Sequence, residues 1–159
     1  MSGIAVVPFR RGLAGDFRRL NLDWIERLFK VEAPDLKVLN NPETIILAPG
    51  GMIFFALDGE AVVGTVALIR AGDGRCELAK MAVATTHQGR GIGEMLGQAC
   101  KSWAAQSGVQ TLFLETNSKL ANAIRLYERL GFRRAAEPNP PDYVRCDVYM
   151  ELPVKMHDS

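Results

Sequence analysis

Gln88-Gly89-Arg90-Gly91-Ile92-Gly93 places three glycines within five positions, directly ahead of a helical pattern. A helix N-terminus leaves its first N–H groups unpaired and carries a partial positive charge. Glycines in the turn leading into it let an anion reach that backbone without meeting a Cβ, so a phosphate or pyrophosphate is the natural guest. The same glycines would also serve a tight turn and a close helix–sheet contact. Two phosphate motifs are excluded. The dinucleotide fingerprint GxGxxG fails, because the sixth position is Glu94 counted from Gly89 and Leu96 counted from Gly91. No GxxxxGK followed by Ser or Thr occurs anywhere.

The elements that must hold this turn are legible from periodicity. Residues 4–9 read as a short strand. Leu13, Phe17, Leu20, Trp24 and Leu28 fall on one helical face, and Pro34 interrupts that helix before a short second one ahead of Pro42. Three apolar runs follow, separated by Asp58-Gly59-Glu60 and Gly72-Asp73-Gly74, which predicts an antiparallel meander ending at Val83. Ile92, Met95, Leu96, Ala99, Cys100, Trp103 and Ala104 keep helical spacing up to Gly108. A strand at 111–116 precedes a helix from Leu120 to Leu130, with Asn117 or Ser118 as its cap and Gly131 as its stop. A last strand spans 147–152 after the proline-rich loop 138–141. The fold class is α/β: one domain over 1–159, a mixed, mostly antiparallel sheet with helices on both faces.

"QGRGIG" after "ELAKMAV" resembles the acetyl-CoA-binding signature of the GNAT superfamily of N-acetyltransferases, and "AIRLYERLGF" (123–132) resembles its second signature helix. The order of elements is similar over nearly the whole chain. The resemblance implies that the amides of Gln88, Gly89, Arg90, Gly91, Ile92, Gly93 and Glu94 hold the pyrophosphate of coenzyme A. It implies that the main chain of Met81, Ala82 and Val83 pairs with the pantetheine arm, which requires the strands at 75–83 and 110–116 to splay. It implies Tyr127 as the acid that protonates the leaving thiolate. Gly131 gives a local reason for that setting, since as a helix C′ residue it folds Phe132 back onto Tyr127. It implies Glu77 as the base, at a spacing of 11 residues before Gln88 that is similar to the histone-acetyltransferase members. Glu115, Asp147 and an ordered water stay open for that role. As local readings, Tyr127 is a core residue and Glu77 a solvent-facing carboxylate at a strand edge.

One position departs from the family. Many members carry an asparagine seven residues before the tyrosine, where Leu120 stands here; Asn117 and Asn122 are the neighbours that can substitute. The first helices usually help form the acceptor side, and "LNLDWIERLF" (20–29) resembles a bacterial subgroup that includes members fused to winged-helix regulators. Trp24 and Phe29 either line a pocket or fill core, and core is the preferred reading. His87 and His157 are assigned no role.

With 159 residues and a net charge of +1, bulk electrostatics point to neither nucleic acid nor membrane. Cys76, Cys100 and Cys146 form no CxxC pair and read as inert, so a disulfide framework or metal site is not expected and a reducing cytoplasm is the simplest home. No signal peptide or membrane span is read. The expectation is an acetyl-CoA-dependent enzyme acetylating a primary amine of a small molecule or peptide by direct transfer, with a homodimer as the assembly considered. The rivals are a non-catalytic acyl-CoA sensor and a nucleotide-binding regulator.

Overall fold

The computed structural model describes residues 3–138 and 140–155; His157 lies outside them. In chain order these are β1 (Ile4–Pro8), α1 (Ala14–Leu28), α2 (Ala33–Asn40), β2 (Met52–Asp58), β3 (Ala61–Gly72), β4 (Arg75–Val83), α3 (Ile92–Gln106), β5 (Thr111–Thr116), α4 (Ala121–Leu130), β6 (Arg133–Arg134) and β7 (Val148–Pro153). The strands form one seven-stranded sheet in the order β1-β2-β3-β4-β5-β7-β6. Every neighbouring pair is antiparallel except β4–β5.

The meander forms as its turns dictate. Asp73 and Gly74 make the two-residue β3–β4 connection, both with positive φ, the backbone that closes a tight hairpin. Helices cover both faces of the sheet. On one face Phe17 of α1, Val38 and Leu39 of α2 and Ile46 pack on Ile53, Phe55 and Ala67. On the other, Ile92, Leu96, Cys100 and Ala104 of α3 and Ile124 and Leu130 of α4 pack on Val66, Leu78, Leu112 and Leu114. Pro34 does not end α1, which stops at Leu28; it sits in the first turn of α2, where its missing N–H costs nothing, behind a capping box formed by Glu32 and Asp35.

Two features of β4 open the sheet. First, the parallel pairing with β5 covers only Arg75–Glu77 against Thr111–Phe113, although both strands run on. From Leu78 onward β4 therefore faces β5 with an unpaired edge. Second, β4 carries one extra residue against β3: Ala79 pairs with Ala67 and Ala82 with Thr65. That bulge centres on Lys80, whose φ of 55° is unusual for a residue with a Cβ. Cys76 and Leu78 face α3 before the bulge, and Met81 and Val83 face that same core after it. Lys80 is thereby delivered to the α2 side.

Candidate active site

The turn ahead of α3 is built as the glycines require. Gly91 is the N-cap of α3 in the left-handed conformation, with φ 78°, and no side chain caps the helix. A Cβ built on Gly89 or Gly91 would meet nothing within 4 Å, so the approach to the α3 amides is open space. An anion fits there. Gly93 is different: its Cβ would lie 2.9 Å from Leu126 Cδ2. Its missing side chain lets α4 come close, which is a packing role. Gln88 donates to the Val83 carbonyl at 3.3 Å, tying the turn to the end of β4. His87, to which the sequence assigned nothing, also holds the turn, with Nε2 2.9 Å from Asp58 Oδ2 and Nδ1 2.8 Å from Thr86 Oγ1. Arg90 is exposed.

A groove of about 920 Å³ runs from this turn between Met81–Val83 and the start of α4. It continues into a second cavity of about 220 Å³ under the bulge, and Met81, Ala82, Val83, Leu120 and Tyr127 line both. The two therefore form one passage, from the α3 N-terminus to the opening between β4 and β5.

Tyr127 stands at the junction. Its position follows from the end of α4: Gly131 adopts φ 110°, Phe132 N–H donates to the Tyr127 carbonyl at 3.0 Å and Gly131 N–H to Glu128 at 3.0 Å. This Schellman closure folds Phe132 back as the sequence predicts, and the two rings meet edge to face with centroids 6.1 Å apart. Burial pushes the Tyr127 phenol up to about 12, so it stays protonated at neutral pH.

Glu77 lines the inner cavity from β4, and desolvation pushes its carboxyl up to about 7 against the opposing pull of Lys80. It is half-buried in the cavity wall, not a solvent-facing edge residue. Glu115 lines the same cavity, and burial together with a hydrogen bond to Glu137 raises it as well. Asp147 is exposed and spends both carboxylate oxygens on Ser118 at 2.8 and 2.9 Å. It does not line the inner cavity.

The loop after β6 and the helix α2 meet over this cavity in a network that sequence reasoning missed. Lys80 Nζ reaches Asp35 Oδ1 at 2.7 Å and the Tyr143 hydroxyl at 3.0 Å. Arg145 grips Asp35 with two bonds of 2.6 and 2.8 Å and reaches Glu32 at 3.3 Å. Burial opposes ionisation of Asp35, but the bonds from Arg145 and Lys80 hold its carboxyl down at about 2. No local pattern connects residues 35, 80 and 145; only the bulge does.

Several expectations are corrected. Asn117 and Ser118 do not cap α4, whose N-cap is Leu120 without a side-chain bond. Asn117 instead donates to the Arg145 carbonyl at 2.6 Å, and its oxygen accepts from Lys119 N–H at 2.9 Å, so its side chain closes a local turn. Trp24 and Phe29 are not core: they are half-buried, stack edge to face at 6.2 Å and line the inner cavity. Leu120 makes the shared wall apolar where the family's asparagine would stand, and Asn122 lies farther along the outer groove. Cys76 and Cys100 are buried; Cys146 reaches the cavity, but burial pushes its thiol up to about 12, which makes it a poor nucleophile.

Residues 18–132 match the acetyltransferase (GNAT) family. N-acetylaspartate synthetase of Danio rerio is 29% identical over 122 residues, 76% of this chain and 41% of that protein. The chain spans less than half the length of the curated relatives it matches. An acetyltransferase of Staphylococcus aureus superposes with a TM-score of 0.87 at 22% identity, covering 96% of this chain and 99% of that one. A Salmonella typhimurium acetyltransferase whose structure holds acetyl-CoA superposes with a TM-score of 0.73 at 19% identity, covering 98% and 96%. No helix of the described residues is long and apolar enough to cross a membrane.

Proposed function

The chain belongs to the acetyltransferase (GNAT) family, and from that premise we propose that it acetylates a primary amine by direct transfer from acetyl-CoA. The observation that carries this reading is the single passage joining the uncapped α3 turn, the unpaired edge of β4, Tyr127 and Glu77.

Acetyl-CoA, when bound, supplies the acetyl group as a thioester. The amides at 88–94 hold its pyrophosphate, and the free edge of Met81–Val83 takes up the amide groups of the pantetheine arm. Glu77, directly or through a water, takes the proton that the acceptor nitrogen must lose. An amine with a pKa near 10.4 is overwhelmingly protonated at neutral pH, and a carboxylate raised to about 7 is well matched to relieve it of a proton. As the carbon–nitrogen bond forms and the carbon–sulfur bond breaks, Tyr127 gives its phenol proton to the departing sulfur. No covalent acyl-enzyme is needed.

Two measurements test the reading together. Acetyl-CoA at a hundredfold excess over Kd should stabilise the fold by about 2.7 kcal/mol, and thiol should be released when amines are added. A thermal midpoint that moves with ATP or NAD but not with acetyl-CoA would overturn it in favour of a nucleotide-binding regulator. Stabilisation by acetyl-CoA with no thiol release across amines, amino acids and peptide N-termini would favour a sensor.

A further inference from the structure

The inner cavity carries two carboxylates that no protein cation satisfies. Glu77 is half-buried, and among the described residues no hydrogen bond reaches its side chain; Lys80 and Asp142 act on it only through space. Glu115 has its Oε2 buried without a hydrogen-bond partner. Glu77 pairs with Phe113, and Glu115 lies two residues farther along β5 on the same face. Strand spacing and rise then put the two α-carbons about 8 Å apart.

The cations nearby are already committed. Lys80 and Arg145 are bound to Asp35 and Glu32, and Arg27 at the rim pairs with Asp23 at 3.1 Å. With Glu77 and Glu115 ionised, the uncompensated charge of the cavity is negative. Its walls are aromatic, from Trp24, Phe29 and Tyr143, and suit a hydrocarbon chain. A buried carboxylate without a partner is costly, and an incoming ammonium group relieves that cost for both charges.

We propose that the acceptor is a small polyamine-like cation, a primary amine with a second protonated nitrogen a few carbons away, and that Glu115 holds the second nitrogen while Glu77 faces the reacting one. This rests on the acetyltransferase reading above and adds the class of acceptor to it. An acceptor rich in carboxylates, such as aspartate, would bring like charges against Glu77 and Glu115.

The test compares 1,4-diaminobutane, 1-aminobutane and aspartate as acceptors, by thiol release from acetyl-CoA with the intact protein. Wild type should favour the diamine over the monoamine by at least tenfold in kcat/KM, with aspartate the poorest. In Glu115→Gln the diamine-to-monoamine ratio should fall at least tenfold. A general loss of base or of fold would depress both acceptors and leave the ratio alone, and that result overturns the proposal. If the variant fails to fold, the wild-type ranking decides: activity on 1-aminobutane or aspartate equal to or above that on the diamine sinks the proposal while leaving the acetyltransferase reading intact. No release with any of the three overturns the proposal, and the broader amine panel then judges the acetyltransferase reading by itself.

Discussion

Glu77 and Tyr127 come to one passage from elements 50 residues apart in sequence, and burial raises both groups for different ends. The carboxyl is brought to about 7, where it exchanges protons readily, and the phenol to about 12, where it keeps its own. Their variants should separate by pH. Wild-type kcat/KM should rise with pH until Glu77 is ionised near pH 7 and then level off, because ionised Glu77 and protonated amine together form the productive state. Glu77→Gln lacks that break and should climb until the amine itself deprotonates near pH 10. Its defect, about 10²-fold at pH 7, should therefore shrink about tenfold per unit above it; a profile from pH 6 to 9.5 that keeps the break removes Glu77 from the base role. Tyr127→Phe keeps the ring against Phe132 and should lower kcat by about 10²-fold with acetyl-CoA affinity unchanged, read by turnover beside calorimetric titration. Near-wild-type turnover would make Tyr127 a packing residue.

At the scale of elements, the glycine turn divides its labour. Gly89 and Gly91 leave open space over the α3 amides, whereas Gly93 faces Leu126. Gly93→Val should push α4 outward and cost about 1–3 kcal/mol of stability by overpacking, measured by denaturant unfolding, and displace Tyr127, the residue that follows Leu126 in α4. Unchanged stability would show that the contact yields freely. The meander, both glycine-stopped helices and the turn itself were legible in the sequence because each is written in neighbours: Asp73-Gly74 sets a hairpin, Gly131 returns Phe132, and spacing marks the α3 face. The inner cavity was not legible. Trp24 and Phe29 keep the apolar pattern of a core helix whether they face protein or a passage, and the α4 start is set by the turn of Asn117 rather than by capping. Lys80 looks like a core violation until an extra residue turns it around.

For the whole molecule, Asp35 is the knot between α2, the bulge of β4 and the loop at 143–145. Its carboxyl is held down at about 2 in the fold, below the usual carboxylate value of about 3.9. A depressed folded value adds stability above the unfolded value, and that stability drains away as pH falls from about 4 toward about 2. Asp35→Asn strips the carboxylate from two buried cations and should cost about 3–5 kcal/mol at pH 7, with a lowered thermal midpoint and a weaker acid-dependent loss than wild type. Equal midpoints at pH 7 would mean that Lys80 and Arg145 find other partners.

The bulge in β4 also acts like a frameshift in a text read two letters at a time. Upstream of it, even-numbered residues such as Cys76 and Leu78 face α3; downstream, odd-numbered Met81 and Val83 do. Flattening the bulge with its extra residue kept would impose a single frame and swap the faces of every residue on one side of it. Lys80 would be driven toward an apolar core and Met81 turned out of it. Deleting Lys80 alone would remove the extra residue and leave both flanks facing as they do, whereas a deletion elsewhere in β4 would shift one half of the strand against its partners.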